Sequence, residues 1–240
     1  MDNIRVKRIE PAYRQVAEQL RALILQGRLE PGDRLPNEVE LSVKFGVSRS
    51  TVREALRSLA SQNLLTTQRG VTGGSFIAHP DALDISSYLE TSVGLLSSAR
   101  VVAVGELMEA RAILEIPAAR LAAERRSDDD ITRLTEAVDA EEANLGSEFE
   151  GHRATHAAIL EAAGNTLLEM LTAPLFTVLR SRFLRDQAPP AFWSEVCADH
   201  RRIVAAIAAG DAEKAGAEMD AHLRNLRVTY ERIDRQAVDG

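Results

Sequence analysis

From Tyr13 to Ile24 the apolar residues fall at Tyr13, Val16, Ala17, Leu20, Leu23 and Ile24, the 3–4 spacing of one face of an α-helix. Gly27 ends it, and Pro31-Gly32-Asp33-Arg34-Leu35-Pro36 reads as turn chemistry. A short helix follows from about Asn37, with Leu41 and Phe45 inward, and stops at Gly46. Ser48 is placed to cap the next helix, where Val52, Ala55, Leu56 and Leu59 make a narrow apolar stripe. Arg49, Ser50, Arg53 and Arg57 point away from that stripe. Leu64–Gln68 and Ser75–Ala78 are two short strands around the glycine-rich turn Arg69–Gly74. His79-Pro80-Asp81 reads as a linker, because proline disfavours helix in the residue before it.

Beyond residue 82 the pattern is helical throughout, in segments near 82–97, 100–125, 128–143, 147–163, 165–187, 191–209 and 211–235. Repeated Ala and Leu and an aromatic share of 4% argue against a sheet there. Pro117 lies inside the second of these segments and is expected to kink or divide it. The expected fold is mainly α. Residues 1–79 form a winged helix-turn-helix with a small β-hairpin, and residues 80–240 an all-helical bundle.

Charge changes the picture. The net charge of −7 is unevenly spread: residues 1–79 carry 12 Lys/Arg against 8 Asp/Glu, and residues 80–240 carry 17 against 28. A basic module on an acidic remainder suggests a nucleic-acid reader joined to a domain with another task. No apolar run approaches the ~20 residues needed to span a bilayer, so no membrane role is expected. Cys197 is the single cysteine, which excludes an intrachain disulfide and fits a cytoplasmic protein.

A helix that enters the major groove needs a short polar face at its start. Ser48, Arg49, Ser50, Thr51 and Arg53 supply one, at an end where free N–H groups favour phosphate. Arg69-Gly70 at the wing tip is suited to the minor groove or its phosphates.

Four of the five histidines, His152, His156, His200 and His222, lie in the acidic domain. His152 and His156 are spaced i, i+4, so both imidazoles leave the same helix face. His200 and His222 flank the helix stop at Gly210-Asp211 by 10 and 12 residues, which brings them to similar depth in a helical hairpin. Four nitrogen donors suit Zn, and also Ni, Co or Fe; spacing does not choose among them. Four ordinary histidines, each bonded to a neighbour, fit the same spacing.

The run Tyr13–Ile77 resembles the GntR family of bacterial regulators. The residues that carry the likeness are Leu29–Glu38 (Leu-x-Pro-Gly-Asp-Arg-Leu-Pro-x-Glu), Gly46–Leu56 (Gly-Val-Ser-Arg-Ser-Thr-Val-Arg-Glu-Ala-Leu) and Gly73-Gly74-Ser75-Phe76. The resemblance implies that Ser48, Arg49, Ser50, Thr51, Arg53, Arg69 and Gly70 contact an operator. Val39 stands where several members carry a DNA-reaching arginine, so that contact is not expected.

Residues 82–237 resemble the ligand-binding domain of the FadR branch. The likeness rests on Glu106-Leu107-x3-Arg111-x2-Leu114-Glu115, on His156-x2-Ile159-x2-Ala162-Ala163-Gly164-Asn165, and on the stretches around Asp199-His200, Gly210-Asp211 and Met219-x2-His222-Leu223. Many such domains hold a metal through an aspartate, a histidine four residues later, and two further histidines in the last two helices. His156, His200 and His222 match those histidines, His152 stands where the aspartate usually does, and Thr155 replaces a common phenylalanine.

The resemblance also implies a carboxylate-bearing metabolite as effector, with Arg111 able to hold its anion; Arg180 and Arg182 are weaker candidates. The resulting expectation is a homodimeric transcription regulator, a repressor rather than an activator, on a palindromic double-stranded DNA operator. A sensor whose effector is the metal ion itself is an alternative reading. A metalloenzyme fused to a DNA-binding head is another, but Arg153 stands where a zinc peptidase motif places its glutamate base, and no catalytic residue is expected.

Overall fold

The computed structural model describes residues 10–70, 73–79, 81–143, 149–182 and 190–239. The chain divides into two compact units, Met1–Asp81 and Ala82–Gly240.

In the first unit, α1 (Ala12–Leu25) packs on α3 (Arg49–Ser61), and α2 (Glu38–Phe45) also leans on α3. The local reasons are visible at each boundary. Gly27, in the left-handed conformation at φ 67°, closes α1. Asn37 caps α2 in a reciprocal box with Glu40, and Gly46 ends that helix at φ 65°. Ser48 caps α3 by accepting from the Thr51 N–H at 3.1 Å. Val16, Ala17, Leu20, Leu41, Val52, Ala55, Leu56 and Leu59 make the core, closed from below by Leu65 and Ile77 of the hairpin.

Strands β1 (Leu65–Gln68) and β2 (Gly74–Ile77) pair antiparallel, Leu65 opposite Ile77 and Gln68 opposite Gly74. The Pro31–Pro36 stretch, read from sequence as a turn, does more. Gly32 and Leu35 donate to the Ile77 and Ser75 carbonyls, and Ile77 donates to Asp33, so this segment lines the free edge of β2. Arg34 Nη2 donates to the Gly73 carbonyl at 2.6 Å. A Cβ on Gly73 would stand 2.4 Å from the Gln68 carbonyl oxygen, so the turn tolerates glycine alone there. Val71 and Thr72 of the turn, and Pro80 of the linker, lie outside the described residues.

The second unit holds α4 (Ala82–Ser98), α5 (Val104–Arg125), α6 (Asp128–Ala143), α7 (Phe149–Ala162), α8 (Thr166–Arg182), α9 (Pro190–Ala209) and α10 (Ala212–Asp239). Residues 147–148 and 183–187, expected to be helical, lie outside the described residues. Helix α5 is central. Its buried Ala118, Ala119, Ala122 and Ala123 let α10 approach closely, with Ala215, Met219, Leu223, Leu226 and Tyr230 in the shared core. Helix α9 packs along α10 and α6, and α7 lies between α6 and α5.

Pro117 does not divide α5, which runs unbroken through it. Pro117 and Ile113 both sit on the exposed face, so the Ile113 carbonyl that loses its i+4 donor is on the solvent side. The helix does start later than expected, at Val104 rather than near residue 100, after a turn in which Arg100 takes φ 56°.

Candidate functional site

The polar face at the start of α3 is exposed. Ser48 Oγ lies 2.8 Å from both Ser50 Oγ and Thr51 Oγ1, so the three hydroxyls form one cluster at the helix N-terminus. Arg49 occupies the first turn, and its side chain makes no hydrogen bond among the described residues. Arg53 is held differently. Its Nε and Nη2 donate to Glu38 Oε1 and Oε2 at 2.9 and 2.7 Å, tying α3 to α2, and this hydrogen bonding holds the Glu38 carboxyl below its ordinary range. Arg69 and Gly70 are exposed at the wing, with Gly70 at φ 113°. Val39 is half exposed on the first turn of α2.

In the helical unit, α7 supplies His152 and His156, α9 His200 and α10 His222, all buried. Their donor atoms lie within 4.8 Å of one another. Three Nε2 atoms converge: His156 to His222 and His200 to His156 are each 3.2 Å, and His200 to His222 is 3.3 Å. His152 stacks against the His200 ring, with centroids 4.9 Å apart at 19°.

The far side of each ring explains the convergence. His200 Nδ1 meets Glu141 Oε2 at 2.6 Å, His222 Nδ1 meets Asp199 Oδ2 at 3.3 Å, and His156 Nδ1 is 2.6 Å from Glu115 Oε2. A carboxylate accepts only, so Nδ1 of His200 and of His222 carries the proton and Nε2 keeps its lone pair. His156 Nδ1 makes no hydrogen bond to Glu115; at that ring Arg111 Nη2, which can only donate, faces Nε2 at 3.4 Å and leaves the lone pair there. Three lone pairs then face one another across 3.2–3.3 Å with no proton between them, an arrangement that asks for a cation. Three nitrogens bound tetrahedrally to one ion at about 2.0–2.1 Å stand about 3.3–3.4 Å apart. The donor set fits a divalent transition metal, and carboxylates behind the ligating imidazoles are the usual support of such a site.

Sequence reasoning missed the three carboxylates. Glu115 and Asp199 sit inside the motifs quoted for the family resemblance, and Glu141 continues the apolar stripe Leu134–Val138 at i+3, so a signal existed for each.

Arg111 lies at the edge of the cluster, fully buried on α5. Its Nε and Nη2 donate to Glu115 at 2.5 and 3.2 Å, its guanidinium rests 4.5 Å from the Phe176 ring centroid, and Nη2 is 3.4 Å from His156 Nε2. Its Nη1 is buried with no hydrogen-bond partner among the described residues. An unpaired buried guanidinium nitrogen is costly, so this one is poised for an acceptor. The side chains of Arg180 and Arg182 lie outside the described residues.

Burial pushes His152, His156 and His222 down, the last to about 4 despite the Asp199 hydrogen bond; Arg111 and neighbouring histidines add to the fall. Burial alone would raise the Asp199 carboxyl, but the His222 hydrogen bond and Arg202 hold it below its ordinary value. Unfolded imidazole binds a proton near pH 6.5, whereas folded His222 does so only near 4, so metal-free protein loses stability as pH falls across that window. The loss expected from His222 alone is on the order of 3 kcal/mol. Thermal melts of chelator-treated protein between pH 7.5 and 4.5 check it, and a flat midpoint would contradict it.

Two family models match the chain: bacterial regulatory proteins of the gntR family over residues 12–76, and the FCD domain over residues 106–225. The HTH-type transcriptional regulator LutR of Bacillus subtilis is 33% identical over 213 residues, spanning 85% of this chain and 94% of that protein. The Uxu operon transcriptional regulator of Escherichia coli is 31% identical over 245 residues, spanning 95% of this chain and 91% of its own length. Among solved structures, a GntR protein of Streptococcus agalactiae superposes with a TM-score of 0.60 at 26% identity, covering 90% of this chain and 99% of that one. Every one of these relatives is a regulator and none an enzyme. With an operator-reading module matched from α1 to β2 and an FCD model matched across α5 to α10, the chain belongs to the GntR family of DNA-binding transcription regulators.

Proposed function

We propose that the protein is a homodimeric, effector-responsive repressor acting in the cytoplasm. Residues 1–81 read a palindromic operator, and residues 82–240 bind a metal and a small carboxylate and hold the dimer together. Two copies of α3 would enter the two half-sites, with Arg49 and Arg53 toward base edges and Ser48, Ser50 and Thr51 on phosphates. Arg69 and Gly70 would follow the adjacent minor groove.

One observation carries the sensing half: three histidine Nε2 atoms converge beside the partnerless Nη1 of buried Arg111. His152, His156, His200 and His222 would hold the metal, with zinc favoured and nickel, cobalt or iron(II) compatible with the same nitrogen donors. Such an ion supplies a positive centre for an anion, and Arg111 would take the carboxylate's second oxygen. The effector then shifts the placement of the reading heads, and operator affinity falls. Operator must weaken effector binding by the same factor.

The test is operator affinity of purified, metal-analysed protein titrated with small carboxylic acids, each with and without added zinc. Weaker operator binding only when acid and metal are both present is the expected result. A response to zinc alone would establish the ion as the effector. No acid and no metal altering operator affinity would end the switching reading while leaving DNA binding intact.

A further inference from the structure

Glu141 sits at the C-terminal end of α6 with its carboxylate buried, while its neighbour Glu142 pairs with Arg201 at the surface. Its Oε2 meets His200 Nδ1 at 2.6 Å and accepts the Thr155 hydroxyl at 2.9 Å. Thr155 is fully buried on α7, one residue before His156. A single oxygen thus ties α6, α7 and α9 together behind one imidazole.

We propose that Thr155 and Glu141 are a positioning pair that sets His200 for the metal, resting on the metal-binding reading above. The physical argument is one of rotamer and tautomer. The terminal torsion of glutamate is broad and has no strong preference of its own. A buried carboxylate needs more than one donor to stay charged and in place. The Thr155 hydroxyl supplies the second donor and fixes the carboxylate plane, so the same oxygen always meets His200 Nδ1. With that proton anchored, Nε2 keeps its lone pair toward His156 and His222. Without the anchor, His200 also populates the tautomer with hydrogen on Nε2, which cannot ligate.

Thr155 and His152 fall within one turn of α7. With histidine at 152, no carboxylate stands among the four candidate ligands. Glu141 places a negative charge one shell further out, held there by Thr155. An all-nitrogen donor set backed by carboxylates discriminates for zinc, cobalt and nickel over manganese and magnesium.

The experiment uses the full-length protein, with zinc affinity measured by competition against a chromophoric chelator and cobalt loading followed by its visible absorption. Thr155→Val and Glu141→Gln are each expected to weaken zinc by about 10-fold to 100-fold and to shift the cobalt spectrum. Thr155→Ser, which keeps the hydroxyl, restores both. Thr155→Val combined with Glu141→Gln is expected to be no weaker than Glu141→Gln alone, because the threonine acts through the glutamate. Thr155→Val with wild-type zinc affinity and cobalt spectrum overturns the proposal, even if its metal-free melting point falls, since that pattern is packing alone. Additive losses in the double variant overturn it as well. Wild-type protein that binds neither ion instead removes the metal reading on which the proposal rests.

Discussion

His200→Ala combined with His222→Ala is expected to abolish metal binding at the proposed site in the helical domain and to leave binding to naked operator largely intact. These two residues reach the cluster from α9 and α10 and supply two of the three Nε2 atoms at 3.2–3.3 Å. Removing both leaves His152 and His156 on a single helix, a chelate of two nitrogens with no third donor to close it. The reading head has its own core, built from α1–α3 and the hairpin. Its fold does not depend on these histidines. Carboxylate should then fail to release operator from the double variant at any concentration that releases the wild type. Elemental analysis with paired operator titrations checks both halves. Stoichiometric metal in the double variant would refute the ligand assignment.

The converse variant is Arg49→Ala, expected to weaken specific operator binding strongly with metal content unchanged. Arg49 stands in the first turn of α3, exposed, with no side-chain hydrogen bond among the described residues to hold it back. Arg53, one turn on, is already engaged by Glu38, so it reaches a base only as part of that pair. A bidentate arginine–guanine contact contributes about 1–3 kcal/mol of discrimination, and the proposed dimer would use it twice, so the expected loss is roughly 30-fold to 10⁴-fold. Weak sequence-independent binding should survive, because it depends on phosphates rather than on base edges. Anisotropy titrations against operator and scrambled duplex separate the two. An unchanged ratio between those duplexes would contradict the role given to Arg49.

Much of the reading head is legible along the chain because its information is local. The Val52, Ala55, Leu56, Leu59 stripe, the Ser48 cap and the Gly46 stop each depend on residues within four or five positions. The strand-like path of Asp33–Leu35 is not legible in that way. Three residues of extended chain carry no periodicity, and what orders them is the free edge of β2, about 40 positions later. Likewise, nothing local tells Arg53 that it will face Glu38. Pro117 misleads for a related reason: its cost depends on which side of α5 the ring occupies, and packing against α10 decides that side.

In the helical unit the four histidines are visible by spacing, and the family likeness sharpens them. Their carboxylates are harder to see. Glu141 and Glu142 are adjacent acids in an acidic run, and only the docking of α6 against α7 and α9 buries one and leaves the other on the surface. Arg111 shows the same division. Its place in a motif marks it for an anion, but its engagement with Glu115 and the one nitrogen left over arise from burial beside Phe176.

By itself, then, the sequence determined most of the elements, the two-part organisation and the family, and singled out the four histidines, since periodicity, caps and motif spacing are short-range properties of a chain. Tertiary structure alone decided which imidazole nitrogen His200 and His222 present. Those tautomers are set by partners from other helices, and Glu141 and Asp199 meet His200 and His222 only after α6, α9 and α10 have packed.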